Sequence, residues 1–169
     1  MMEWLSRTEL LLGCERLEKL KNAHVLVAGL GGVGAYAAEQ LCRAGVGEMT
    51  IIDGDIVELT NKNRQLSALD CNLGRPKAEV MKERFLNINP DIKLHVINEF
   101  IRDEGMIEVL KMARYDYIVD AIDTLAPKIF LIYHSLQLGI PIVSSMGSGG
   151  KLDPSKIEVA DISKSYNCN

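Results

Sequence analysis

At 169 residues, 47% apolar and 25% charged, the chain has the size and mix of one globular domain with its own core. Its net charge of −4 excludes a global basic field of the kind that draws a protein onto nucleic acid. The longest apolar run, VLVAGLGGVGAYAA, is broken by glycines and too short to span a bilayer.

The first ten residues, MMEWLSRTEL, carry acid and polar groups where a secretion signal needs a basic end and an apolar stretch, which points to the cytoplasm. Over residues 8–21 the leucines Leu10, Leu11, Leu17 and Leu20 have helical spacing, with Gly13 as a weak point. Residues 23–28 read as the first strong strand, and 32–44 as a helix ended by Gly45 in a left-handed cap. Residues 48–53 (EMTIID) form a second strand. The stretch 54–67 is too rich in Asn and Asp for a long regular element.

Residues 77–88 have a helical pattern stopped by Asn89-Pro90, with Lys82 and Arg84 on a solvated face. A strand over 93–98 and a short helix over 106–111 follow. Residues 117–121 (YIVDA) are a nearly all-apolar strand ending in acids. Thr124 is placed to cap a helix reaching about residue 138, with Pro127 tolerated in its first turn and Gly139 just past its end. Further strands are expected at 141–145 and 157–162. Strands alternate with helices from residue 23 to 145 and are continuously apolar, as in a parallel sheet covered on both faces. The expected fold is therefore a doubly wound, Rossmann-like α/β domain with a mostly parallel sheet. It is expected to form a single domain over residues 1–169. The chain stops at SYNCN without a final strand or helix, so we expect the natural protein to continue and the further part to carry some of the function.

The four cysteines, Cys14, Cys42, Cys71 and Cys168, are far apart and form no CxxC pair, which argues against a disulfide framework or a cysteine zinc site within these residues. They read as structural or inert, and so do the scattered histidines His24, His95 and His134. Tyr115 and Tyr117 read as strand-edge packing.

The chemistry starts at the first strand–helix turn, where Gly29, Gly31 and Gly34 have GxGxxG spacing and Gly32 lies between them. The first glycine permits the tight turn, the second lets a phosphate approach the backbone, and the third lets helix and strand pack closely. Exposed N–H groups at the helix start favour an anion. Asp53 ends the next strand, where a carboxylate can hold a ribose hydroxyl pair. These features fit a dinucleotide and ATP equally well. The residues beyond Asp53 favour ATP: Asn61, Asn63, Arg64, Gln65 and Lys77 are the cations and planar donors that a triphosphate requires. Asp120 and Asp123, delivered by YIVDAID to the carboxyl edge of the sheet, suit magnesium, which binds through one or two carboxylates plus phosphate oxygens.

GLGGVG, IDGD with Asp53 and Asp55, TNKNRQ, GRPKAEV and DAID, in this order over roughly residues 7–162, resemble the ThiF/MoeB/HesA adenylation family, which includes the adenylation domains of ubiquitin-activating enzymes. The resemblance implies that Asp53 binds ribose and that Arg64 and Lys77 contact the ATP phosphates, with Asn61 and Gln65 nearby. Asp123 would hold Mg2+. Arg7 is similar to the arginine that family dimers reach across to the partner's ATP site, which implies a homodimer. RTELLLG, RFLNINP, DAIDTLAPKIFLI and SMGSGGKLDPSKIEVADISK look like the tRNA threonylcarbamoyladenosine dehydratase branch. That branch implies adenylation of a carboxylate on a tRNA adenosine, then ring closure with release of AMP. The alternatives are adenylation of a ubiquitin-like or sulfur-carrier protein's C-terminal carboxylate, NAD-dependent oxidoreduction, and nucleotide binding for assembly alone. The first would need a transfer cysteine, and the second leaves NRQ, Lys77 and DAID unexplained. No membrane partner is expected.

Overall fold

The computed structural model describes residues 3–102 and 104–166, so Cys168 lies outside the described residues. Five parallel strands form one sheet in the order β3-β2-β1-β4-β5: β1 His24–Ala28, β2 Glu48–Ile52, β3 Lys93–Ile97, β4 Tyr117–Asp120 and β5 Ile142–Ser144. Six α-helices accompany them among the described residues: α1 Ser6–Leu12, α2 Cys14–Lys21, α3 Gly34–Ala44, α4 Lys77–Ile88, α5 Glu104–Met112 and α6 Leu125–Gln137. None of them is long and apolar enough to cross a membrane.

The unbroken apolar run of β1 follows from its central position. Val25 and Val27 point into a layer with Ala35, Ala38 and Cys42 of α3 and Ala78, Met81 and Phe85 of α4. Leu26 and Ala28 point the opposite way, onto Met106, Val109 and Leu110 of α5, Ile118 of β4 and Leu131 of α6. All five β1 residues are buried, because alternate side chains serve two cores. Cys42 lies in the first core, where burial pushes its thiol up to about 11, in keeping with an inert cysteine. Cys14 and Cys71 are exposed and free.

Several expectations need correction. The helix expected over 8–21 is broken at Gly13, whose φ of 82° lies in the left-handed region that a helix cannot continue through. Leu17 is buried, whereas Leu10 and Leu11 on the detached α1 are exposed. Residues 157–162 form no strand: the chain there runs between the short 3₁₀ turns Pro154–Lys156 and Ile162–Lys164, and Ile157 and Val159 are exposed. Alternating apolar residues form a strand only when a neighbouring edge accepts their hydrogen bonds, and the sheet ends at β5. Arg84 is not merely solvated. Its Nε and Nη2 donate to both oxygens of the buried Glu39, tying α4 to α3, and Arg43 adds a third donor. Thr124 occupies the N-cap of α6, but its side chain makes no capping hydrogen bond. Tyr115 is buried in the second core, whereas Tyr117 is partly exposed.

Candidate functional site

In a parallel sheet every strand releases its following loop at the same edge, so the turns after β1, β2, β3 and β4 converge. Here they enclose a cavity of about 360 Å³. Its floor is the β1–α3 turn. Gly29 has φ 89°, and a Cβ there would come within 2.7 Å of the Ala121 carbonyl oxygen. A Cβ on Gly34 would overlap the Gly29 carbonyl oxygen, so this third glycine is required by packing and does not line the cavity. Gly31 differs: its nearest neighbour in the Cβ direction is Gln65 Nε2, 3.9 Å away, which leaves room for a ligand to reach the backbone. Gly32 faces the aliphatic stem of Arg64, with Cγ 3.3 Å from where a Cβ would stand.

Asp53, at the end of β2, accepts hydrogen bonds from the Leu30 N–H (2.6 Å) and the Asp55 N–H (2.8 Å). The carboxylate is thereby locked beside the glycine turn. Burial pushes its pKa up, and the two backbone donors act in the opposite direction. Asp55 holds Lys77: its Oδ2 lies 2.7 Å from the Lys77 ammonium, and its carbonyl accepts the Lys77 N–H. Lys77 is buried at the first turn of α4 and still lines the cavity. An ammonium has three protons, so one can remain on Asp55 while others face a ligand.

The segment after β2 is held in shape by Asn61. Its Oδ1 accepts the Glu58 N–H at 3.0 Å, and its carbonyl accepts the N–H groups of Arg64 and Gln65. Arg64 is exposed at the cavity wall, with its Nη1 donating to Asn63 Oδ1 (2.8 Å) and the Thr60 carbonyl (3.3 Å). Asn63 thus positions Arg64 from outside the cavity. Gln65 is buried against the turn, and its Oε1 has no partner. An orphaned buried carbonyl of this kind is a place for a ligand's donor.

The two acids after β4 separate. Asp123 lines the cavity and takes part in no ion pair among the described residues. Asp120 is fully buried and pairs with Lys128 of α6 at 2.6 Å, while Ser144 Oγ and the Ile122 N–H also donate to it. Its expected share in magnesium binding is therefore overturned, because its lone pairs are engaged in a network joining β4, β5 and α6. Lys128, which the sequence reading did not single out, also donates to Ser144 Oγ and the Ser145 carbonyl. Arg7 lies on α1 and is not among the residues lining the cavity. The reading also missed Glu99, Phe100, Ile101 and Arg102, which follow β3 and close one side. The signal for them was topological: β3 joins the same parallel sheet, so its exit loop had to reach this edge.

The sequence profile of the ThiF family matches residues 5–169. Among curated relatives, tRNA threonylcarbamoyladenosine dehydratase of Bacillus subtilis is 44% identical over 166 residues, covering 98% of this chain and 65% of the relative. The crystal structure of the Escherichia coli tRNA N6-threonylcarbamoyladenosine dehydratase, TcdA, in complex with ATP superposes with a TM-score of 0.94 at 41% identity, covering 96% of this chain and 67% of that one. The sulfur carrier protein ThiS adenylyltransferase of Escherichia coli is more distant, 34% identical over 137 residues, covering 80% of this chain and 54% of the relative.

Proposed function

The chain belongs to the ThiF family, and from that membership we propose that it binds ATP and adenylates the threonylcarbamoyl carboxylate of a tRNA adenosine. The observation that carries the adenylating site is the single cavity in which the glycine turn, Arg64, Lys77 and Asp123 converge. The tRNA substrate is supported by the higher identity to the dehydratase than to the sulfur-carrier enzyme. The chain spans 65% of the length of the Bacillus subtilis relative, so the activity of the whole protein belongs to this proposal.

The residues fit ATP. Open space over Gly31 lets a phosphate reach the turn, and the orphaned Gln65 Oε1 awaits a donor. Asp53 is assigned to the ribose, with Gly29, Gly32 and Gly34 shaping the turn. Arg64 offers a planar fork and Lys77 a point charge to the phosphates, with Asn61, Asn63 and Asp55 as their supports. Magnesium fits Asp123, whose carboxylate is unengaged among the described residues. When bound, the ion would neutralise charge on the phosphate oxygens.

The acceptor carboxylate is anionic at neutral pH and needs no general base. Its oxygen attacks the α-phosphorus in line while the bond to pyrophosphate breaks, giving an acyl adenylate. Arg64 and Lys77 neutralise the charge that gathers on the leaving pyrophosphate. An internal nitrogen then attacks the activated carbonyl carbon, loses its proton and expels AMP, so the acceptor loses the elements of water. We further propose a cytoplasmic homodimer in which Arg7 crosses to the partner's phosphates.

ATP-dependent pyrophosphate release is the direct test. Turnover with threonylcarbamoyl-modified tRNA and none with a sulfur-carrier protein is expected. Turnover with the carrier alone would move the substrate to that class, and tighter binding of NAD than of ATP would overturn the nucleotide assignment.

A further inference from the structure

Opposite the nucleotide cavity, the first residues of β1 and β2 and the middle of β3 bring together His24, Glu48 and His95. His24 and Glu48 are register partners, and His95 pairs with Thr50, two residues along β2, so the parallel register sets all four side chains on one face of the sheet. Among the described residues these three form the group of metal-ligating side chains whose ligand atoms all lie within 4.8 Å of one another. His95 Nε2 is 2.8 Å from Glu48 Oε1, and His24 Nδ1 is 3.6 Å from the same oxygen.

We propose that His24, Glu48 and His95 form a binding site for a divalent transition ion of the zinc class. Ligand atoms around a tetrahedral ion with bonds of about 2.0–2.1 Å stand about 3.3 Å apart. The two separations to Glu48, 2.8 and 3.6 Å, bracket that value, and Glu48 and His95 lie on the solvent side, where small side-chain rotations can adjust them. Two imidazoles and one carboxylate leave at least one position for water, as in open zinc sites. His24 is the prepared member. Its Nε2 lies 2.8 Å from Thr50 Oγ1, a hydrogen bond that, with Nε2 as donor, leaves the Nδ1 lone pair facing Glu48. Its backbone is clamped, with its N–H donating to Asp116 Oδ2 and its carbonyl accepting the Asp116 N–H. The Tyr115 ring packs against its imidazole at 4.7 Å and closes the inner wall. Burial favours the neutral ring, the form a metal requires. Lys93, the register partner of Glu48, is exposed and free to swing into solvent. A bound ion would staple three neighbouring strands at the edge away from the nucleotide.

The test uses metal-stripped protein without nucleotide, in a background of Cys14→Ser, Cys71→Ser and Cys168→Ser that removes thiol binding. Zinc alone is titrated by calorimetry and by the rise in thermal midpoint, and cobalt(II) is the optical probe. One zinc per chain, a raised midpoint and visible cobalt bands of an N/O site are expected. His95→Ala, a half-exposed change, should weaken zinc binding by at least about tenfold and abolish the cobalt bands, leaving the metal-free midpoint nearly unchanged. Glu48→Gln should do the same and serves if His95→Ala fails to fold. Absence of a zinc-dependent shift in the parent, or undiminished binding in both variants, would overturn the site.

Discussion

Gly31 and Gly34 stand three residues apart in one turn, yet the structure gives them different reasons to be glycine. At Gly34 an added methyl would overlap the Gly29 carbonyl, and backbone must move to accept it. Gly34→Ala is therefore expected to cost about 3 kcal/mol or more in a denaturant melt, in the upper range of overpacking penalties. Gly31 meets nothing closer than 3.9 Å, so Gly31→Ala should keep the parent's midpoint while weakening ATP binding at least about tenfold, because the methyl fills the space a phosphate needs. Equal effects of the two substitutions on folding would refute this division. Arg64 is exposed and supports no core residue, so Arg64→Ala should leave the melt unchanged. It should lower ATP-dependent pyrophosphate release by about 10²–10³-fold, as for loss of a single preorganised donor to developing charge. Retained activity would remove Arg64 from the phosphate site.

Two ion-pair networks work between elements. Glu39 of α3 is held by Arg84 of α4 and by Arg43, and these donors, Arg84 first, pull its pKa below the ordinary 4.5 against the opposing effect of burial. A carboxylate whose folded pKa is depressed contributes stability above its unfolded pKa, and that contribution is lost as pH falls through the folded value. The melting midpoint should therefore drop as pH is lowered below about 4.5. Glu39→Gln should cost about 1–3 kcal/mol at neutral pH and flatten this acid limb. An unchanged acid limb in that variant would show that other carboxylates carry it. Around α6, the buried Asp120–Lys128 pair fastens the helix to β4 and β5. Lys128→Met leaves an unpaired carboxylate in the core and is expected to cost about 3–5 kcal/mol. Melts of the Lys128→Met and Asp120→Asn/Lys128→Met proteins separate the cost of an orphaned charge from the worth of the pair, since the double variant should recover part of the loss.

At the scale of the whole molecule, apolar surface is left over at both ends of the described chain. Leu10 and Leu11 are 77% and 81% exposed on α1, and Leu152 and Val159 are 95% and 97% exposed after β5. A sheet core already closed by α3 and α4 on one side and α5 and α6 on the other has no room for them, so they are available to a second copy or to further chain. Arg7 shares α1 with the first pair, so the proposed dimer crossing would start from this helix. Subunit complementation tests this. In a mixed dimer of Arg7→Ala and Arg64→Ala chains, a crossing Arg7 leaves one intact site and one doubly damaged site. Random mixing of the two inactive proteins should then restore about a quarter of parental pyrophosphate release, from half the dimers with one good site each. No recovery, with dimers present in sedimentation, would place Arg7 outside the partner's site.

The sequence alone determined the local and the periodic. Continuous apolar runs marked the buried central strands β1 and β2, the glycine spacing marked the tight turn after β1, and the Asn-Arg-Gln stretch with Lys77 marked the cations that reach the same cavity. Each of these is a consequence of backbone geometry acting over a few residues. The tertiary structure decided what depends on partners distant in sequence. It engaged Asp120 with Lys128 while leaving Asp123 in the cavity, turned Arg84 from a surface cation into a tie between helices, and left residues 157–162 without an edge to pair with. It also assembled His24, Glu48 and His95 from three strands, a grouping with no mark in the linear order because strand register, not sequence spacing, brings it together.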